Sequence, residues 1–140
     1  MGYGHDGCWD RLVGLRVDRM LVGHTGTKSD DRLAFDTSAG VVAFVTDEDC
    51  CSETWFADIT GVADLLGATV TGVEEWDPPE VRDGRCRQDE DRFYGVRLLT
   101  DRGVCSIVYR NSSNGYYGGG VCADPPDLDG MVEITDDWEA

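Results

Sequence analysis

The chain states one pattern twice, and that repetition limits its possible folds more than any other feature. Leu12-Val-Gly-Leu-Arg-Val17-Asp-Arg-Met20 is echoed by Leu65-Leu-Gly-Ala-Thr-Val70-Thr-Gly-Val73, and the stretch from Arg32 through Gly40 to Phe44 by that from Gly95 through Gly103 to Ile107. Apolar and polar residues alternate through these segments, the mark of half-buried strands. The pattern predicts an α+β, β-rich fold of two pseudo-repeated antiparallel β units, 12–59 and 65–122, with one short helix between them. About eight strands are expected, near 14–22, 31–37, 40–46, 68–76, 93–100, 103–110, 116–122 and 130–135. Ser38-Ala-Gly40 and Asp101-Arg-Gly103 each supply a glycine for a tight antiparallel connection.

The expected helix begins at Ser52-Glu-Thr-Trp-Phe-Ala-Asp-Ile59, with Ser52 as N-cap and Glu53 in the first turn, and can add a turn at Val62–Leu66 before Gly67. Asn114-Gly115 is a strong hairpin signal that predicts a strand from Tyr116-Tyr117 folding back on 107–113. The proline-bearing, charged stretch 77–91 reads as a flexible loop, and the acidic tail 136–140 as a fraying end. At 140 residues the chain has the length of a single domain, 1–140, and can bury roughly 68–70% of its extended surface.

The repeats diverge where each third strand ends. The first runs into Asp47-Glu-Asp-Cys50-Cys51-Ser52-Glu53 and the second into Arg110-Asn111-Ser112-Ser113-Asn114-Gly-Tyr116-Tyr117-Gly-Gly-Gly120. If the halves pack about a pseudo-twofold axis, these unlike segments occupy related positions and form the candidate site. The second resembles a binding loop: it combines amides, hydroxyls, two aromatic rings, a guanidinium and permissive glycines. Its bland reading is turn chemistry, since Asn and Ser bond their own backbone. Adjacent thiols at Cys50-Cys51 suit a nucleophile, metal ligand or redox pair, but Asp47, Glu48, Asp49 and Glu53 oppose thiolate formation. His24 in a Gly/Thr loop reads as solvated rather than as a general base. No phosphate-binding glycine loop, nucleophile elbow or His-Glu-x-x-His motif is present, so neither catalytic residues nor a cofactor or metal is expected.

Charge narrows the partners. With 12 basic and 28 acidic residues the formal net charge is −16, which repels a nucleic-acid backbone and argues against direct DNA or RNA binding. It serves solubility, or mimics phosphate toward a basic protein surface if the acids share one face. No run of about 18 apolar residues marks a membrane span, and the residues around His5-Asp6 lack the charge and apolarity of a secretory signal. An intracellular chain with reduced cysteines is expected.

At Asp49-Cys-Cys-Ser-Glu-Thr-Trp55, Leu65-Leu-Gly-Ala-Thr-Val70 and Tyr109-Arg-Asn-Ser-Ser-Asn-Gly-Tyr-Tyr-Gly-Gly119, the chain resembles a family of small bacteriophage proteins known only as a domain of unknown function. The resemblance covers 12–122. It implies a viral accessory protein made in the bacterial host cytoplasm, and it carries over no active site. The leading expectation is a non-enzymatic protein, monomer or homodimer, that binds a host or phage protein and so antagonises a host process such as antiviral defence. The alternatives are a nucleotide-signal binder with Tyr116 and Tyr117 stacking and Arg110 pairing a phosphate, and a metal- or thiol-dependent enzyme built on Cys50, Cys51 or His24.

Overall fold

A computed structural model describes residues 7–24, 31–48, 51–115 and 118–140, with backbone alone for His24. Three strands form a first antiparallel meander, β1 (Val17–His24), β2 (Asp31–Thr37) and β3 (Gly40–Glu48), and three form a second, β5 (Val70–Trp76), β6 (Glu90–Thr100) and β7 (Val104–Ser113). The strand after each meander leaves its own sheet. β4 (Glu53–Thr60) pairs with β7, and β8 (Gly119–Asp124) pairs with β3. Two C-terminal strands, β9 (Val132–Ile134) and β10 (Trp138–Glu139), add to β1 and β4. The sheet orders are therefore β8-β3-β2-β1-β9 and β10-β4-β7-β6-β5.

The two meanders share local detail. Each opens with a bulge, between Val17 and Arg19 in β1 and between Val70 and Gly72 in β5. Each hairpin is closed by a threonine, with Thr37 Oγ1 donating to Gly40 O at 2.6 Å and Thr100 Oγ1 to Gly103 O at 2.8 Å. The segments before them bond to one another in reciprocal fashion: Gly14 N to Val70 O and Gly67 N to Val17 O, both at 2.7 Å. Gly14 (φ 88°) and Gly67 (φ 84°) both take the left-handed backbone conformation that glycine permits. An antiparallel bridge joins Arg16 to Thr69 between them.

One apolar core lies between the sheets. Trp9, from a short 3-10 helix at Cys8–Leu12, is fully buried and stacks on Phe44 at 4.2 Å; Tyr94 stacks on Tyr109 at 5.3 Å, and Phe56 meets Tyr109 edge-on. The outer faces are also partly covered. Leu128 and Met131 pack over Leu21, Ala34 and Ala43 on the first sheet, while residues of the 77–91 segment cover the second.

Several expectations need correction. The expected helix at 52–59 is strand β4; among the described residues the one α-helix is the single turn α1 (Val62–Leu65), and Ser52 caps no helix but donates to Gly118 O at 3.0 Å. A bulge between Phe56 and Asp58 explains the misreading: Phe56 and Ile59 both join the core at a spacing of three, which imitates a helical face. With β4 and β10 added, the described residues hold ten strands rather than about eight. The strand beyond Asn114-Gly115 does not fold back on 107–113, because β7 already has β4 on one side and β6 on the other, so β8 crosses to β3. The acidic tail is docked: Trp138 pairs with Ile59, Asp137 Oδ1 accepts from Gly61 N at 2.8 Å, and Ala140 N donates to Ala57 O at 2.9 Å.

Candidate functional site

The two unlike segments lie side by side. Register places Glu53 opposite Ser112, Thr54 opposite Asn111 and Trp55 opposite Arg110. Cys51, Ser52 and Glu53 thus adjoin Arg110, Asn111, Ser112 and Ser113 where both chains cross between sheets, and Asn114 follows at the surface. Cys50, Tyr116 and Tyr117 lie outside the described residues, as does the His24 side chain. The Arg110–Ser113 run is not an open loop: it is the last part of β7, and each of its four residues is at most 1% exposed.

Burial at that level requires partners, and the strand alternation divides them between two faces. On the inner side, Asn111 Nδ2 donates to Thr54 Oγ1 at 3.0 Å, and Thr54 donates onward to Asp47 O at 2.8 Å. That chain fixes the amide orientation, because the Thr54 hydroxyl has spent its proton and must accept; Asn111 Oδ1 is left buried without a partner. Gly119 fits against Thr54, Asn111 and Asp47, with no room for a Cβ.

On the outer side, Arg110 enters a set of ion pairs. Its Nη1 lies 3.1 Å from Asp83 Oδ1 and 3.1 Å from Asp91 Oδ2, its Nη2 bonds Asp83 Oδ2, and Ser112 Oγ donates to Asp91. Arg85 joins Asp83 to Asp58 at 2.8 and 3.0 Å. The hydrogen bond from Arg110, followed by that from Arg85, holds the Asp83 carboxyl well below the usual carboxylate range. Burial alone would lower the Arg110 pKa, but its bonds to Asp83 and Asp91 outweigh this and raise it. Three guanidiniums surround the buried Trp55 ring, Arg87 at 4.4 Å, Arg110 at 5.1 Å and Arg85 at 6.0 Å from its centroid. The 77–91 segment is thereby fastened to the sheet like a strap.

Beside the strap lies a cavity of 610 Å³ lined by residues including Asp83, Asp89, Glu90, Asp91, Phe93 and Arg110. Acidic side chains also edge the crossover, with Asp47 exposed, Glu48 and Glu53 half-buried, and Glu90 exposed opposite Ser113. The thiols nearby are unlike one another. Cys51 and Cys86 are exposed; partial desolvation of the thiol and its hydrogen bond to Asp91 raise the Cys86 pKa, and burial pushes the fully buried Cys105 up to about 12. Among the described residues no group of three or more His, Cys, Asp or Glu side chains is arranged to hold a metal ion.

Sequence reasoning missed Thr54, Trp55, Asp58, Asp83, Arg85, Arg87 and Asp91 as members of this constellation. A signal was present: Arg82, Arg85 and Arg87 fall within six positions of a chain with only 12 basic residues. Alternate residues of an extended segment share a side, so Arg85 and Arg87 were placed to approach one object together.

Two antiparallel five-stranded sheets that exchange their fourth strands around a buried polar crossing define the class: a β-rich domain with one short α-helix among the described residues. The chain belongs to the DUF7448 family, a domain of unknown function, whose pattern matches residues 10–123. Comparison with curated proteins finds no match, and neither does comparison with solved structures. No helix among the described residues is long and apolar enough to cross a membrane.

Proposed function

We propose that this is a small acidic accessory protein of phage origin that acts in the bacterial host cytoplasm by binding a host or viral protein, without catalysis of its own. Its contact surface is the crossover end of the sandwich, and antagonism of a host process such as antiviral defence is the outcome of occupying the partner. The observation that carries this reading is the pairing of Glu53 with Ser112 and Thr54 with Asn111, which joins the two divergent segments in one rigid place. The shared bulges, threonine-closed hairpins and reciprocal bonds further support descent from a doubled β module whose copies kept their frame and diverged at this end.

The rim chemistry selects the partner. Asp47, Glu48, Glu53 and Glu90 surround a floor that is already ordered, so docking a basic surface gains charge complementarity at little entropic cost. Immobilised protein in lysate of the host is expected to retain a stoichiometric partner at about 0.15 M salt and release it at about 1 M. A variant carrying Asp47→Lys and Glu90→Lys is expected to keep its melting temperature and lose the partner. Absence of any stoichiometric partner, or equal retention by that variant, overturns the proposal.

A further inference from the structure

The geometry points to a second, separate site: the cleft between the β1/β9 edge and the β4/β10 edge binds a small flat apolar molecule that carries an oxyanion, a carboxylate or a phosphate monoester. The cleft has a volume of 410 Å³, within the usual range for small-molecule pockets. Val22, Phe56, Val132 and Trp138 supply its apolar lining, one from each of β1, β4, β9 and β10. These positions are held in strand ladders, Val22 opposite Val132 and Trp138 opposite Ile59, so the slot is formed before any ligand arrives. Val132 is 65% exposed, a large apolar surface at the mouth that a ligand would cover.

The charged groups around the slot decide what kind of ligand it takes. Asp31 is engaged, its Oδ2 accepting from Phe56 N at 3.1 Å. Arg32 is engaged too, with Nε 2.6 Å from Asp124 Oδ2 and Nη2 donating to Asp127 O at 2.7 Å. Arg87 differs. Its backbone N donates to Ser112 Oγ and its guanidinium rests on the Trp55 ring, yet among the described residues it forms no ion pair. A guanidinium oriented by an aromatic face at the wall of an apolar slot keeps its N–H donors for an incoming acceptor, and its fork matches carboxylate or phosphate oxygens. In a chain of net charge −16, Arg87 is the cation at this slot that no carboxylate of the described residues takes up, and it selects for an anion although Asp31 and Ala140 share the lining. Arg110, the guanidinium that the sequence offers for a phosphate, is already occupied by Asp83 and Asp91, whereas Arg87 is not.

Titration calorimetry with 1-naphthoate, 1-naphthyl phosphate and the uncharged 1-naphthylmethanol tests this site. Binding of at least one anion is expected, with 1-naphthylmethanol at least about tenfold weaker than the anion that binds, the effect of one hydrogen-bonded charge pair. Naphthoate alone assigns the oxyanion to a carboxylate; naphthyl phosphate alone assigns it to a phosphate ester. Arg87→Gln, at an exposed position and with its fold checked by circular dichroism, should bring the bound anion down to the level of the alcohol, and Val132→Trp should fill the slot and abolish the binding of every probe. Equal affinity for anion and alcohol, an unchanged preference in Arg87→Gln, or no anion binding at millimolar concentration overturns the inference. The rim variant of the docking proposal leaves this cleft intact, so failure of one reading is distinguishable from failure of the other.

Discussion

Replacing Arg110 by methionine tests whether the strap is held by a buried ion pair or merely lies on the sheet. Methionine keeps much of the side-chain bulk against Trp55 and Phe93, whose ring centroids lie 5.1 and 4.4 Å from the Arg110 Cζ, so the change isolates charge from volume. The consequences for the two acids differ. The Asp91 side chain is only 6% exposed and would retain Ser112 as its nearest donor, while Asp83, at 29%, keeps Arg85 and can turn to water. The cost is therefore dominated by stranding Asp91, about 3–5 kcal/mol for breaking a buried pair from one side.

For a domain of this size that loss lowers the melting temperature by roughly 10–20 °C. Differential scanning calorimetry of the wild type, Arg110→Met, Asp91→Asn and the double variant gives the full cycle. Much of the loss should return in the double variant, since neutralising Asp91 removes the stranded charge, and the coupling should reach about 2 kcal/mol or more. A single variant melting within about 3 °C of wild type, or a double variant whose losses simply add, would refute the claim that Arg110 is sequestered by the strap.

Asp83 gives the pH dependence. Its folded pKa lies below its unfolded value of about 3.9, so its stabilisation is complete above that value and fades as pH falls toward the folded one; urea unfolding should show a wild-type advantage over Asp83→Asn that is constant from pH 7 to about 5 and shrinks below about 4, and an advantage undiminished near pH 2.5 would contradict this. Gly119→Ala should cost about 1–3 kcal/mol or more, read from the urea midpoint, because the new Cβ meets Thr54, Asn111 and Asp47 together. Unchanged stability in that variant would mean that the crossing is looser than described.

The sequence was most legible where one face of a strand is buried. Alternation located β1, β2 and β3, and again β5, β6 and β7, because Leu33 and Phe35, or Ile107 and Tyr109, point to one core at period two. It failed at β4, where the bulge turns Phe56 and Ile59 to the same core although they are three residues apart. The fate of β8 was also hidden: Asn114-Gly115 is a local signal, but the choice between pairing with β7 and pairing with β3 depends on which edges other strands have already filled. The site was half legible. The divergent segments were visible as sequence, whereas the carboxylates that hold Arg110 lie 19 and 27 residues away along the chain.

The Asn-Ser-Ser run that reads as a ligand loop also has a structural role that follows from strand exchange. A chain that leaves one sheet for the other must carry backbone carbonyls through the crossing, and buried polar groups there need partners. Thr54 supplies one to Asp47 O and Ser52 another to Gly118 O; Asn111 braces Thr54, and Ser113 Oγ accepts from Gly115 N at 2.9 Å. Hydroxyls and amides are thus spent on building the crossing rather than displayed for capture. What such a floor would contribute to the proposed docking is rigidity: the charged side chains at its rim are presented from an ordered frame, and their identities can change without disturbing the bonds beneath.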